Sequence, residues 1–331
     1  MMVKLPILMY HYVRPRKKRL SERHNVLDSE LFTNQIELLA KNFDFLVGDN
    51  LFDEANKQSK FEKQIWLTFD DGYRDCTDYV LPVLLKNKAC ATFYVPTEAV
   101  FARKLLDVNK IHILLSCGAS SEEIVKVSKR YFCEMSLENQ VGKSFDELFS
   151  VYGVENTYND KNTEFIKKIF QKALPTKIRK IFLDEVFRAF VTRSESSWVD
   201  ELYLNSDDIR ALWNSGMEIG SHGHSHEWLE DLTEFEQASD IKTSLELLHT
   251  EIPGLITRSI CYPYGSYNKS TLKVLDDLKI RTGLLNNFES NFAFLDLISE
   301  SYLELERIDV MFFDQFFKQN FAGNSWNDSP E

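Results

Sequence analysis

Three histidines crowd into five positions of one segment, Ser221-His222-Gly223-His224-Ser225-His226, in a chain that holds seven histidines altogether. Imidazoles four residues apart can converge on one cation if the backbone between them turns, and Gly220 and Gly223 permit that turn. A histidine-only site would lack an anionic ligand. Asp70-Asp71-Gly72 supplies one, directly after the apolar run Ile65-Trp66-Leu67-Thr68-Phe69. Adjacent carboxylates repel one another unless a cation or a proton lies between them, so one can ligate while the other serves as a base. The structural alternatives are a polar surface loop for the histidines and a helix N-cap followed by a turn for the aspartates.

Two further segments could do chemistry. In Cys261-Tyr262-Pro263-Tyr264-Gly265 the proline fixes a turn and the glycine lets the backbone approach a ligand, so an N–H such as that of Tyr264 can serve as an oxyanion donor. His11 follows the apolar run Ile7-Leu8-Met9-Tyr10. On its own it reads more as a satisfied core residue than as an acid or base.

Each of these segments closes a stretch of strand character, and in α/β folds ligands gather at the carboxyl ends of strands. Ile7 to Tyr10, Ile65 to Phe69 and Ala91 to Val95 predict strands. Between them Ser29 caps a helix presenting Leu31, Phe32, Ile36 and Leu39, and Asp78 to Lys86 predicts a second. From about 101 to 204 the pattern turns helical. There Glu164 to Val191 is split by Pro175 into two helices whose apolar register includes Phe165, Ile169, Phe170, Ile181 and Phe182. A structureless loop of this length would be most unusual, so a helical insertion packed on the main domain is expected.

After Tyr203 the alternation returns. Ser206 caps a helix through Trp213, and Met217-Glu218-Ile219 forms a strand that delivers the histidine segment. Thr233-x-x-Glu236 is a capping box for a helix with Ala238, Ile241, Leu245 and Leu248 in register. Ser259 to Tyr262 and Ile280 to Leu285 predict strands around a helix from Lys269 to Leu278, and Met311 to Phe321 predicts a last amphipathic helix. The expectation is an α/β fold, one catalytic domain over 1–331 interrupted at about 101–204.

Composition narrows the function classes. With Lys+Arg 39 against Asp+Glu 51 and a net charge of −12, the 331-residue chain is not built to neutralise phosphate backbones, and no nucleic-acid partner is expected. The one basic cluster, Arg14, Arg16, Lys17, Lys18 and Arg19, reads as a solvated loop. Five cysteines with no C-x-x-C pair signal neither a disulfide framework nor a zinc knuckle, and read as reduced core thiols. No run approaches the roughly eighteen apolar residues of a membrane span, and the N-terminal apolar run is too short for a secretion signal; both lead to an expected cytoplasmic location. Oligomeric state is left open.

Taken together, Thr68-Phe69-Asp70-Asp71-Gly72, Ser221-His222-x-x-x-His226 and Tyr262-Pro263-Tyr264-Gly265, in this order, resemble the polysaccharide deacetylase family, carbohydrate esterase family 4. The resemblance covers roughly 1–100 and 200–310. It implies a distorted (β/α) barrel and a divalent metal, most often zinc, held by one aspartate and two histidines. Carried over, Asp70 is the catalytic base, Asp71, His222 and His226 are the metal ligands, and His224 falls outside the ligand set. The family's general-acid histidine normally follows a C-terminal leucine-rich strand; no such histidine exists here, the last in the chain being His249. A subgroup acting on poly-N-acetylglucosamine has that motif at the N-terminus, and Leu8-Met9-Tyr10-His11 resembles it, which makes His11 the general acid.

In many members an arginine two residues before the motif proline orients the base. Cys261 stands there, leaving Arg307 or Arg258 as possible substitutes. The family's tryptophan-bearing fourth motif is not found. The implied substrate is an N-acetylated sugar, in a polymer or a precursor. Rival readings are a deformylase or other amide hydrolase on a lipid- or nucleotide-linked sugar, and a non-catalytic carbohydrate-binding relative. For His11 to act, it must lie within about ten ångströms of the other four site residues, because an acid needs hydrogen-bond reach to the leaving group, directly or through one water.

Overall fold

A computed structural model describes residues 2–15, 26–54, 63–156, 159–286, 293–296 and 299–321. Eleven strands appear among them: β1 (Met2–Leu5), β2 (Ile7–Tyr10), β3 (Asp44–Leu46), β4 (Gln64–Phe69), β5 (Thr92–Val95), β6 (Glu218–Ser221), β7 (Ser259–Cys261), β8 (Thr282–Leu284), β9 (Ala293–Asp296), β10 (Tyr302–Leu305) and β11 (Ile308–Asp309). Nine form one sheet in the order β10-β8-β7-β6-β5-β4-β2-β11, with β3 also beside β4, and every pairing in it is parallel. β1 and β9 make a separate antiparallel pair. This is the parallel sheet and helices of a deacetylase-type (β/α) barrel.

The composition of the central strands accounts for this arrangement. β2 and β4 are buried along their whole length, as parallel strands covered on both faces must be, and both read as near-continuous apolar runs. Register aligns Tyr10 with Phe69 and Phe69 with Phe93. Their rings stack across β2, β4 and β5 at centroid distances of 4.8 and 4.9 Å, a rigid aromatic floor one residue below Asp70.

Most predicted elements occur, with local differences. The first long helix is Ser29–Asn42, but Asp28 caps it by accepting from the Glu30 N–H, since the cap must lie just outside the helical backbone. Likewise Asn205, not Ser206, caps Ser206–Asn214. The Thr233/Glu236 capping box forms as expected. β3, β10 and β11 are strands that periodicity did not reveal.

The described residues divide into two compact units, one built from those up to Arg103 and from Leu202 onward, the other from Lys104–Glu201. The second is helical, with Asp107–Ser116, Ser121–Glu134, Phe145–Tyr152, Lys161–Gln171 and Thr176–Phe190 enclosing Ile111, Phe132, Phe165, Phe170 and Phe182. Its buried Lys110 is held by Asp184 and Glu195 at 2.5 and 3.2 Å. Ile181 faces solvent despite its place in the apolar register.

Two compositional readings need correction. Arg14 is not a solvated loop cation: it is 2% exposed, its Nε donates to Asp75 Oδ2 at 2.8 Å, and it lies over the Tyr12 ring. Arg16, Lys17, Lys18 and Arg19 lie outside the described residues. All five cysteines are free, but only Cys76 and Cys261 are buried, while Cys117 and Cys133 are exposed. Among the described residues no helix is long and apolar enough to cross a membrane.

Candidate metal centre and catalytic site

Because the large sheet is parallel, its strands deliver their chemistry to one edge. His11 follows β2, Asp70 and Asp71 follow β4, His222 follows β6, and Tyr262 to Gly265 follow β7. Past the end of β4 the backbone turns sharply, with Asp71 and Gly72 left-handed at φ 70° and 60°. The turn is pinned by the Leu204 N–H donating to the Gly72 carbonyl at 2.9 Å.

Asp71, His222 and His226 are all buried, and their donor atoms lie within 4.8 Å of one another. Asp71 Oδ1 stands 3.3 Å from His222 Nε2 and 3.2 Å from His226 Nε2. His222 Nδ1 lies 2.8 Å from the Cys261 carbonyl oxygen, which can only accept, so the proton of a neutral ring sits on Nδ1 and the Nε2 lone pair faces the carboxylate. Acceptor facing acceptor in a dry site is unfavourable unless a proton or a cation lies between. Bonds of 2.0–2.1 Å at tetrahedral angles would hold ligand atoms about 3.3 Å apart, so the donor set fits a zinc-sized divalent ion. With protons in place of a cation, on both Nε2 atoms, burial still raises the Asp71 carboxyl, but the hydrogen bonds then donated by His222 and His226 outweigh it and hold the group well below the usual carboxylate range.

Asp70 is held differently. Arg307, fully buried, grips both of its oxygens, Nη1 to Oδ1 at 2.9 Å and Nη2 to Oδ2 at 2.7 Å. The guanidinium is itself oriented, through Nε to the Leu285 carbonyl at 2.7 Å and Nη1 to Thr68 Oγ1 at 3.1 Å. Burial raises the Asp70 carboxyl, and the Arg307 charge and hydrogen bonds, with smaller help from His222 and His11, bring it below the ordinary value. Cys261 Sγ sits 3.0 Å from Arg307 Nη2 and 3.5 Å from Asp70 Oδ2. The arginine reaches Asp70 from the link between β10 and β11, and the small thiol leaves room for it. Asp70, His222 and Cys261 also cluster closely enough to ligate, but the guanidinium already occupies both oxygens of Asp70.

His11 Nε2 is 3.7 Å from Asp70 Oδ2, and the ring is one third exposed. It therefore lies within reach of Asp70 and is open to solvent. Tyr264 is left-handed at φ 58°, packs against the His226 ring at 4.8 Å, and stacks flat on Trp228 at 4.5 Å. Two residues are not brought in. Arg258 is exposed and precedes β7, at the end of the strand opposite the site. His224 turns away, its Nδ1 2.9 Å from Thr97 Oγ1. Sequence reasoning missed the Trp228 and Tyr264 stack, whose only signal was a tryptophan two residues beyond His226.

Against known families, the polysaccharide deacetylase profile matches residues 57–112 and 185–283. The chain carries a polysaccharide deacetylase domain, of carbohydrate esterase family 4. The family consists of hydrolases acting on carbon–nitrogen bonds, and this deacetylase is an enzyme of that class. Among solved structures it is similar to the deacetylase PplD of Streptococcus pyogenes in complex with acetate, at 19% identity and TM-score 0.56 over 93% of each chain. IcaB from Ammonifex degensii aligns at 16% identity and TM-score 0.54, over 96% of this chain and 95% of that one. A de-N-acetylase from Aggregatibacter actinomycetemcomitans aligns at 14% and 0.51, over 95% and 100%. At these identities the likeness shows the fold. A search of curated proteins finds no match.

Proposed function

We propose that this deacetylase removes N-acetyl groups from an amino sugar, in a polysaccharide or its precursor, with metal assistance, and that it does so as a single catalytic domain carrying a helical insertion. The observation that carries the reading is the convergence on one sheet edge of a buried Asp71–His222–His226 donor set and a second carboxylate, Asp70, pinned by Arg307. The similar proteins described as deacetylases, one of them holding acetate, support the same acyl group.

Asp71, His222 and His226 would hold the metal, and their oxygen and nitrogen donors suit zinc. When bound, a divalent cation supplies a Lewis acid that polarises the amide carbonyl and acidifies the attacking water. Asp70 takes the proton of that water as its oxygen adds to the carbonyl carbon. Arg307 keeps Asp70 ionised and aimed. The backbone N–H of Tyr264 donates to the oxygen on which charge develops. His11, protonated, gives its proton to the departing nitrogen, and the carbon–nitrogen bond breaks to acetate and a free amine.

Acetate release from N-acetylglucosamine oligomers tests the reading. Release that stops on chelation and returns with zinc is expected. Tight zinc binding with no release from any N-acetylated sugar would favour the non-catalytic relative instead.

A further inference from the structure

The histidine segment must hold two ligands within a few tenths of an ångström while running through strained backbone: Gly223 at φ 71° and His226 at φ 55° are both left-handed. Strand pairing does not set its course beyond His222, because β6 ends at Ser221 and the last bond of that ladder runs from the His222 N–H to the Val95 carbonyl. The helix Glu234–Glu251 runs alongside it. From that helix, Asp240 Oδ2 accepts the His224 N–H at 2.8 Å, and Oδ1 accepts the Ser225 N–H at 2.9 Å and the Ser225 hydroxyl at 2.5 Å. One turn on, Ser244 Oγ lies 2.8 Å from Ser221 Oγ, which in turn accepts the Gly223 N–H at 3.1 Å. A Cβ added at Gly223 would lie 2.9 Å from Asp240 Oδ2, so the glycine leaves space that the carboxylate fills.

We infer that Asp240 is a positioning residue for the metal centre: its carboxylate, seated in a nest of loop N–H groups, sets the loop geometry that brings His222 and His226 onto Asp71. It touches neither the metal donors nor the reacting atoms. Its contribution is therefore to metal affinity, and not to the rate once metal is bound. The inference rests on the metal reading of the Asp71–His222–His226 set.

The test is zinc affinity of the metal-free full chain, measured by competition with a chromogenic chelator, for wild type, Asp240→Asn and Ile241→Val. The last removes one methyl group from the buried neighbour on the same helix and reports what a purely structural loss does. Circular dichroism confirms that all three are folded at the temperature used. Asp240→Asn is expected to bind zinc about 10–100-fold more weakly, with kcat at saturating zinc unchanged and Ile241→Val like wild type. Wild-type affinity in Asp240→Asn, or an equal loss in Ile241→Val, would overturn the positioning role alone. Wild type that takes up no zinc would overturn the metal reading and this inference with it.

Discussion

At the carboxyl end of β4, Asp70 and Asp71 are buried against a guanidinium and two imidazoles; at the amino end of β6, in the same sheet, Glu218 is buried just as fully against dipoles. Glu218 accepts from the Gly48 N–H at 2.8 Å, from the Asp49 N–H at 3.1 Å and from the Thr92 hydroxyl, which itself accepts from Trp66 Nε1 at 2.8 Å. Burial nevertheless pushes Glu218 up to about 7, the Thr92 bond pulling back and the charge of Asp49 adding to the rise. Asp70 and Asp71 move the other way. Burial alone therefore does not mark a reactive carboxylate. What separates the two ends is a formal positive partner, which keeps a desolvated carboxylate ionised and able to accept a proton or a metal.

The contrast can be broken from either end. Removing a ligand ring with His226→Ala should have the largest effect, lowering zinc affinity beyond the roughly 10–100-fold that loss of a supporting residue costs, and turnover with it. Metal analysis beside acetate release checks both. Arg307→Met leaves Asp70 as an uncompensated buried charge, for which a loss of about 3–5 kcal/mol in urea unfolding is expected. An unchanged midpoint would mean that the pair does not govern the Asp70 environment.

Glu218→Gln is the smaller, pH-dependent case. A carboxyl raised in the fold from 4.5 to about 7 contributes stability that is full below the unfolded value and lost as pH rises through the folded one. Wild type should lose roughly 2–3 kcal/mol from this group between pH 5 and 8, by the usual 1.4 kcal/mol per pKa unit, and the variant should not. Parallel pH profiles for the two proteins would remove the contrast.

The two ends also differed in how far the sequence revealed them. Asp70-Asp71 and His222 to His226 are contiguous, and their strands are apolar runs, so residue type and local pattern together pointed to the edge where they meet. Arg307 was visible only as one of two candidates. Strand direction decides between them, because Arg258 precedes its strand and Arg307 lies between β10 and β11, short strands whose charged residues hide their periodicity. Glu218 and Asp240 carried no local signal at all. The partners of Glu218, Gly48 and Asp49, are some 170 residues away, and those of Asp240 sit on another element. Such groups become legible only when the topology is known.

The proposed mechanism requires Asp70 to be the base and not a ligand. Turnover and zinc content of Asp70→Asn, measured on the same folded preparation, address this directly. Acetate release should fall by about 10²–10⁴-fold, the usual worth of a general base, with zinc content equal to wild type. Full turnover in Asp70→Asn, or loss of its zinc, would contradict the division of roles between the two aspartates.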